Sequence, residues 1–339
     1  MEVTTMKNII KKITAAALSL SMLFALSACG GEGAGSSEGE KTYKVAIVKQ
    51  MDHPSLDEIA NAVAAELDGF VADGAKIAYD IYSGQGDQSV LMQIGNQAVA
   101  DGVDAIIPIA TTAAQVIALC AEETKTPVVF AAVSDPVKAE LVDIDHVTGV
   151  SDALNTEFIM NMMLAQNPDV KNVGLLYSLS EPNSATPIAE AKDYLDAKGI
   201  TYTEATANTN DEVIAAANSL IAQGVDAVFT PTDNIIMSAE LAIYESLIAA
   251  GIPHYTGADS FVRSGAFATC GVNYTDLGGQ AARIAYQAMS EGMGSVADDF
   301  VLAEGGIITV NTETAAALNI DCSVFESMGP IVEVTTTAE

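Results

Sequence analysis

Gly102-Val-Asp-Ala-Ile-Ile-Pro-Ile-Ala-Thr-Thr-Ala-Ala-Gln115 is the stretch on which the fold turns, because its first half recurs as Gly224-Val-Asp-Ala-Val-Phe-Thr-Pro-Thr-Asp-Asn234. Each copy follows an Ala-rich segment of helical character that ends in Gly. Each leads into a further helix and then a Pro-led apolar strand, Thr126-Pro-Val-Val-Phe-Ala-Ala-Val-Ser-Asp135 in one copy and Ile252-Pro-His-Tyr-Thr-Gly-Ala-Asp259 in the other. A third match sets Thr148-Gly-Val-Ser-Asp152 against Cys270-Gly-Val-Asn-Tyr274, each read as opening a long helix. The three offsets are 122, 126 and 122 residues. A spacing this constant predicts two similar lobes in one chain.

Around these landmarks the chain alternates short β-branched runs with helical segments. Val45-Ala-Ile-Val48 precedes a helix over Leu56 to Phe70, and Val173-Gly-Leu-Leu-Tyr177 takes the same place in the second copy. That alternation predicts an α/β fold with parallel sheets, right-handed crossovers and helices on both faces. Ligands on such sheets sit beyond the carboxyl ends of the strands. The rule selects loops Gln50 to Ser55, Ala110 to Ala113 and Ser134 to Pro136 in one lobe. In the other it selects Ser178 to Ser184, Thr230 to Asn234 and Ala258 to Ser260. Ser151 or Asp152 is expected to cap a helix over Asn155 to Gln166, and Val310 onward is read as a short helix and an acidic tail.

The N-terminus bears on the compartment. Lys7, Lys11 and Lys12 precede an apolar stretch, Ile13 to Ala28, which is shorter than the roughly 20 residues of a membrane span. It ends in Leu26-Ser27-Ala28-Cys29-Gly30, which resembles a lipobox, so Cys29 is expected to be lipidated and to begin the mature chain. Residues 1–28 are then a signal segment and 29–41 a Gly/Ser/Glu-rich tether. Removing residues 1–28 subtracts three lysines and one glutamate, leaving 11 basic against 44 acidic residues, a formal charge of −33. Such a body is repelled by nucleic acid. The hydrophobic content of 50% reflects buried strands and helices, because no later run is long enough to span a bilayer.

Three cysteines remain, Cys120, Cys270 and Cys322. Cys120 is read as a buried small side chain, while a bridge between Cys270 and Cys322 is left open by the sequence. No Cys/His spacing indicates a metal. No nucleophile triad or phosphate-binding lysine motif is present, so neither an enzyme nor a cofactor is expected.

Gln50-Met-Asp-His-Pro-Ser-Leu-Asp57, Phe130-Ala-Ala-Val-Ser-Asp-Pro136, Thr148-Gly-Val-Ser-Asp152, Glu181-Pro-Asn-Ser184 and Thr232-Asp-Asn234, together with the lipobox and the duplicated lobes, resemble the substrate-binding lipoproteins of ABC transporters. The nearest resemblance is to the branch typified by tryptophan/tyrosine-binding proteins. It implies a periplasmic-binding-protein type I fold, with Rossmann-like lobes formed by 42–150 plus about 273–307 and by 151–272 plus about 308–339, joined by hinge crossovers. It further implies a monomer outside the cytoplasm, anchored to the membrane through Cys29, that delivers a solute to a permease and its ATPase without chemistry on that solute. A lipoprotein that presents its ligand to a sensor, or a binder of sugars or nucleosides, would share these features.

The residues themselves suit a small zwitterion. An α-amino acid needs convergent donors for its carboxylate and a carboxylate for its ammonium. Thr111 and Thr112 open a helix directly after a strand, where free N–H groups favour an anion, and Ser184 has a similar place in the other lobe. Asp135, Glu181, Asp233 and Asp259 are candidates for the ammonium. Gln50, Ser134, Asn183 and Asn234 share these loops, and any one of the set also serves as an ordinary cap or turn former. With no Trp in the chain, Tyr177 at a predicted strand end is the first choice for an aromatic wall, ahead of Phe130, Tyr82, Tyr255 and Phe261.

Overall fold

The computed structural model describes residues 41–296 and 299–337; the signal segment, Cys29 and the tether through residue 40 lie outside them. From the start the chain forms β1 (Tyr43–Lys49), α1 (Pro54–Ala72), β2 (Ile77–Ser83), α2 (Gln88–Ala100), β3 (Ala105–Ile109), α3 (Thr111–Ala121), β4 (Val128–Ala131) and β5 (Val147–Ser151). There follow α4 (Thr156–Gln166), β6 (Asn172–Tyr177), α5 (Ala185–Lys198), β7 (Thr201–Thr206), α6 (Asn210–Ala222) and β8 (Ala227–Thr230). Next come α7 (Asn234–Ala249), β9 (His254–Thr256), α8 (Asp259–Arg263) and β10 (Ala268–Gly271). The last part contributes α9 (Tyr274–Glu291), β11 (Val301–Leu302), β12 (Ile307–Asn311), α10 (Thr312–Leu318) and β13 (Ile331–Val334).

Two sheets result. The first runs β11-β5-β4-β3-β1-β2 with every pair parallel, and the second runs β13-β12-β10-β9-β8-β6-β7 with only β10 and β12 antiparallel. Central strands are buried on both faces, as Val45, Ala46, Ile47 and Val48 show, which is why they read as unbroken apolar runs.

The repeated Gly-Val-Asp-Ala has one structural job in both lobes. Gly102 and Gly224 take φ of 66° and 67° just past α2 and α6, a left-handed backbone that glycine adopts without strain. Two residues on, Asp104 accepts the backbone N–H of Lys44, while Asp226 accepts those of Lys171 and Asn172. Each aspartate thereby pins the start of its lobe's first strand beside the strand that its own segment begins, with Ala105 opposite Val45 and Ala227 opposite Val173.

The chain passes between the sheets three times, through residues 152–155, 272–273 and 303–306. After β5 it enters α4, which packs on α5 and on β9 and β10. After β10 it returns through α9, which lies along α1 and against β3, β4 and β5. Gly278 permits that close helix pair, since a Cβ there would lie 2.6 Å from the Ile59 carbonyl oxygen.

Several sequence expectations are corrected. Thr148 to Ser151 and Cys270 to Gly271 lie in strands β5 and β10 rather than at helix starts, and Ile331–Val334 pairs beside β12 rather than forming a free tail. These strands are too short to show a two-residue period and are held by neighbours distant in sequence. The cap of α4 is Asn155, whose Oδ1 accepts the Phe158 N–H, not Ser151 or Asp152. Cys120, Cys270 and Cys322 are free thiols, and burial pushes Cys270 up to about 11.

Candidate functional site

The carboxyl ends of β1 and β4 face those of β6, β8 and β9, and a layer of direct hydrogen bonds joins the lobes there. Gln50 Nε2 donates to Glu181 Oε1 at 2.7 Å, and Asn234 Nδ2 donates to Glu181 Oε2 at 2.6 Å. Because the Asn234 amide nitrogen is engaged there, its Oδ1 faces His53 Nε2 at 2.9 Å as acceptor, so that ring nitrogen carries the proton. Ser55 contacts Ser260, Ser134 contacts Thr232 at 3.1 Å, and Thr186 donates to Asp135 Oδ2 at 2.6 Å. Every one of these pairs takes one residue from each lobe or, at Asn234, links two such pairs.

Within this layer lies a cavity lined from the first lobe by His53, Ser55, Leu56, Ala110, Ala132 and Ser134. From the second lobe come Asn183, Thr232, Asp233, Asn234, Met237, Ala258 and Phe261, while Asp152 and Tyr274 close it at the crossovers. Its volume is about 20 Å³, room for one water-sized sphere, whereas small-molecule sites typically enclose about 300–1,000 Å³. At that volume the observed arrangement has no room for an amino-acid-sized solute.

Three buried carboxyls dominate the electrostatics. Asp233 is fully buried and begins α7 as its cap, accepting the N–H groups of Ile235, Ile236 and Ser178 and the Ser184 hydroxyl. Burial nevertheless holds its carboxyl above the usual range. Glu181 is pushed up to about 8, first by burial and then by the Asp233 carboxylate. Asp152 is raised by burial alone, against hydroxyl donors from Ser134 at 2.9 Å and Tyr274 at 3.2 Å. Among the described residues no Lys or Arg lines the cavity. His53 is pushed down to about 4 by burial and is neutral at physiological pH.

The sequence-selected residues divide accordingly. Ser134, Asn183, Asp233 and Asn234 line the cavity, and Gln50 and Glu181 belong to the bonded layer. Ser184 supports Asp233, while Asp135 is held by Thr186 and the Lys138 N–H. Thr111 and Thr112 are buried in the first turn of α3, directly after cavity-lining Ala110. Asp259 pairs with Arg263 on α8. Tyr177 lies outside the cavity lining: its hydroxyl donates to Glu204, its ring adjoins Lys192, and Phe261 and Tyr274 are the aromatic residues among the described residues that line the cavity. His53, Ser55, Thr232 and Ser260 fall within strand-end loops that the sequence selected but were not singled out in them, and Asp152 and Tyr274 lie outside those loops. The signal for two of them was present, since Asp152 and Tyr274 end the third repeat match.

Four buried polar atoms around this layer have no partner within the described residues: Gln50 Oε1, His53 Nδ1, Thr111 Oγ1 and Asn183 Oδ1. An orphaned buried group costs about 1–3 kcal/mol, and such groups gathered where two lobes meet mark a surface built for something other than the chain itself.

Comparison with known proteins agrees with this geometry. Residues 44–326 match the family described as ABC transporter substrate binding protein. The tyrosine-binding protein of Clostridioides difficile (strain R20291) is 32% identical over 327 residues, 93% of either chain. Among solved structures, the Streptococcus pneumoniae ABC domain in complex with L-Trp is 29% identical and superposes with a TM-score of 0.79 over 86% of this chain and 100% of that one. A Clostridium difficile substrate-binding protein with adhesive properties, in its ligand-free open form, is 26% identical over 87% and 100% of the two chains, with a lower TM-score of 0.65. The chain belongs to the ABC transporter substrate-binding protein family, whose members bind solutes rather than transform them, and it has that family's periplasmic-binding-protein type I fold.

Proposed function

We propose that this chain is the extracytoplasmic receptor of an ABC importer, lipid-anchored through Cys29, and that it captures an aromatic amino acid between its lobes for delivery to a permease and its ATPase. The observation that carries this reading is the layer of orphaned and bridging polar groups at the facing strand ends, above all Gln50, His53, Asn183 and Asn234. The relative named for tyrosine and the neighbour holding L-Trp point to the solute class.

The bodies that move are 42–150 with about 273–307 and 151–272 with about 308–339, acting in a monomer. The first turn of α3, at Thr111 and Thr112, which no side chain caps, offers N–H groups and a positive dipole end to the solute carboxylate. Leu56, Met237 and Phe261 supply apolar surface for its side chain. Contacts from both lobes form only on closure, so solute draws the equilibrium toward the closed arrangement.

A thermal-shift screen of the purified chain against amino acids, sugars, nucleosides and small peptides tests the proposal, because a ligand that binds only the native state raises the melting temperature. A shift confined to aromatic amino acids is expected; a shift with sugars or nucleosides alone overturns it. Replacing Cys29 with Ser should release the chain from membranes, and unchanged retention would remove the lipid anchor from the proposal.

A further inference from the structure

Asp152 differs from the other buried carboxyls of the cleft in what surrounds it. Asp233 is saturated by three backbone N–H groups and a hydroxyl as the cap of α7, and both oxygens of Glu181 are taken by amides from opposite lobes. Asp152 lines the cavity and is 4% exposed, yet it receives only one hydroxyl on each oxygen, from Ser134 and Tyr274. Among the described residues no Lys, Arg or His pairs with it. A carboxylate withdrawn from water without a counter-charge is costly, and its cost falls when a cation enters the same site.

The two hydroxyls sharpen the requirement. Ser134 and Tyr274 spend their protons on Asp152. Ser134 therefore accepts the Thr232 hydroxyl proton, and both oxygens keep acceptor capacity. The cavity end at Asp152 thus offers one buried negative charge flanked by two acceptor oxygens. A protonated primary amine complements that set, with one positive charge and three N–H donors.

We infer that Asp152 is the counter-ion for a protonated amine on the captured solute, with Ser134 and Tyr274 orienting the carboxylate and sharing the ammonium hydrogens. The inference rests on the reading that the cleft captures a solute, and it deepens that reading by making the amine the group the site selects. The positions of Asp152 and Tyr274 at two of the three crossovers also join ammonium capture to the segments about which the lobes turn.

The test is calorimetric titration of the purified full-length chain, Asp152→Asn and Tyr274→Phe, with L-tyrosine, L-tryptophan, tyramine, 3-(4-hydroxyphenyl)propanoate, aliphatic amino acids and sugars. Amine-bearing probes should bind the unaltered chain at least about 100-fold more tightly than the deaminated acid, a gap of about 2.7 kcal/mol. Asp152→Asn should erase most of that gap, and Tyr274→Phe should weaken amine probes several-fold while leaving the deaminated acid unchanged. Binding of aliphatic but not aromatic amino acids would overturn the aromatic reading and leave the Asp152 inference standing on the variants. The inference is overturned if the deaminated acid or a sugar binds as well as any amine, or if Asp152→Asn retains amine affinity within about threefold.

Discussion

Tyr274 donates its hydroxyl to Asp152 Oδ2 at 3.2 Å, and the two residues stand 122 positions apart, the offset of the internal repeat itself. They are equivalent positions of the two copies, brought together where one chain leaves the first sheet and re-enters it. Both stand beside crossovers between the sheets, one as a buried acid and the other as its donor. Their removal should therefore have opposite consequences for stability. Tyr274→Phe strands a buried carboxyl and should cost about 1–3 kcal/mol in urea unfolding. Asp152→Asn removes the desolvated acid, and its Oδ1 still accepts one hydroxyl while its Nδ2 donates to the other. Because burial raises the folded-state carboxyl of Asp152, its contribution to stability is full below the ordinary carboxylate range and is lost as pH rises above it. The Asn variant should match or exceed the parent at pH 7 and lose that pH dependence.

His53 and Glu181 lie in one hydrogen-bonded chain through Asn234 and impose opposite slopes. The folded-state value for His53 is about 4 against 6.5, so its contribution is present above pH 6.5 and is lost as pH falls toward 4. The loss is on the order of 3 kcal/mol. Melting temperature followed from pH 7 to pH 4 should fall less in His53→Gln than in the parent. Glu181, at about 8 against 4.5, contributes below pH 4.5 and loses that contribution as pH rises through 8. Glu181→Gln should flatten the alkaline limb and leave the acid limb in place. Unchanged curves in both variants would show that neither group titrates on unfolding.

Asp233 is the cavity residue most committed to structure. Replacing it with Ala removes the α7 cap and leaves the Ser178 N–H and the Ser184 hydroxyl without their acceptor. The expected cost is about 2–4 kcal/mol, a cap plus stranded buried donors. Denaturant midpoints read this directly, and a change below about 0.5 kcal/mol would mean that water replaces the carboxylate in full.

How far the site was legible follows from the physics of each residue. The repeated Gly-Val-Asp-Ala carried its own explanation, a left-handed glycine and an aspartate that fastens the first strand, so the two lobes could be found from spacing. Strand-end loops were found because parallel sheets place them at one edge, and Gln50, Ser134, Glu181, Asn183, Asp233 and Asn234 do meet there. What escaped was pairing across the cleft. Nothing local to His53 or Ser55 announces Asn234 or Ser260, which lie 181 and 205 residues away. Tyr177 looked like a wall residue by its place at a strand end, but Glu204 on the neighbouring edge strand β7 supplies an acceptor that draws its hydroxyl there.

The contact between Ser55 and Ser260 allows the closure mechanism to be tested without knowing the solute in advance. The two hydroxyl oxygens lie 2.5 Å apart, one on α1 of the first lobe and the other on α8 of the second. Cysteines at both positions place sulfurs at a separation that a small rotamer adjustment brings to the roughly 2.05 Å of a disulfide. Oxidation of the Ser55→Cys, Ser260→Cys double variant should lock the lobes in the observed arrangement, whose cavity of about 20 Å³ is too small to admit an amino acid. Solute should then bind at least about 100-fold more slowly than to the reduced protein, since entry requires the lobes to part. Reduction should restore the parent rate. With each single cysteine variant as control, equal association rates in the oxidised and reduced double variant would show that solute reaches its site without separation of the lobes.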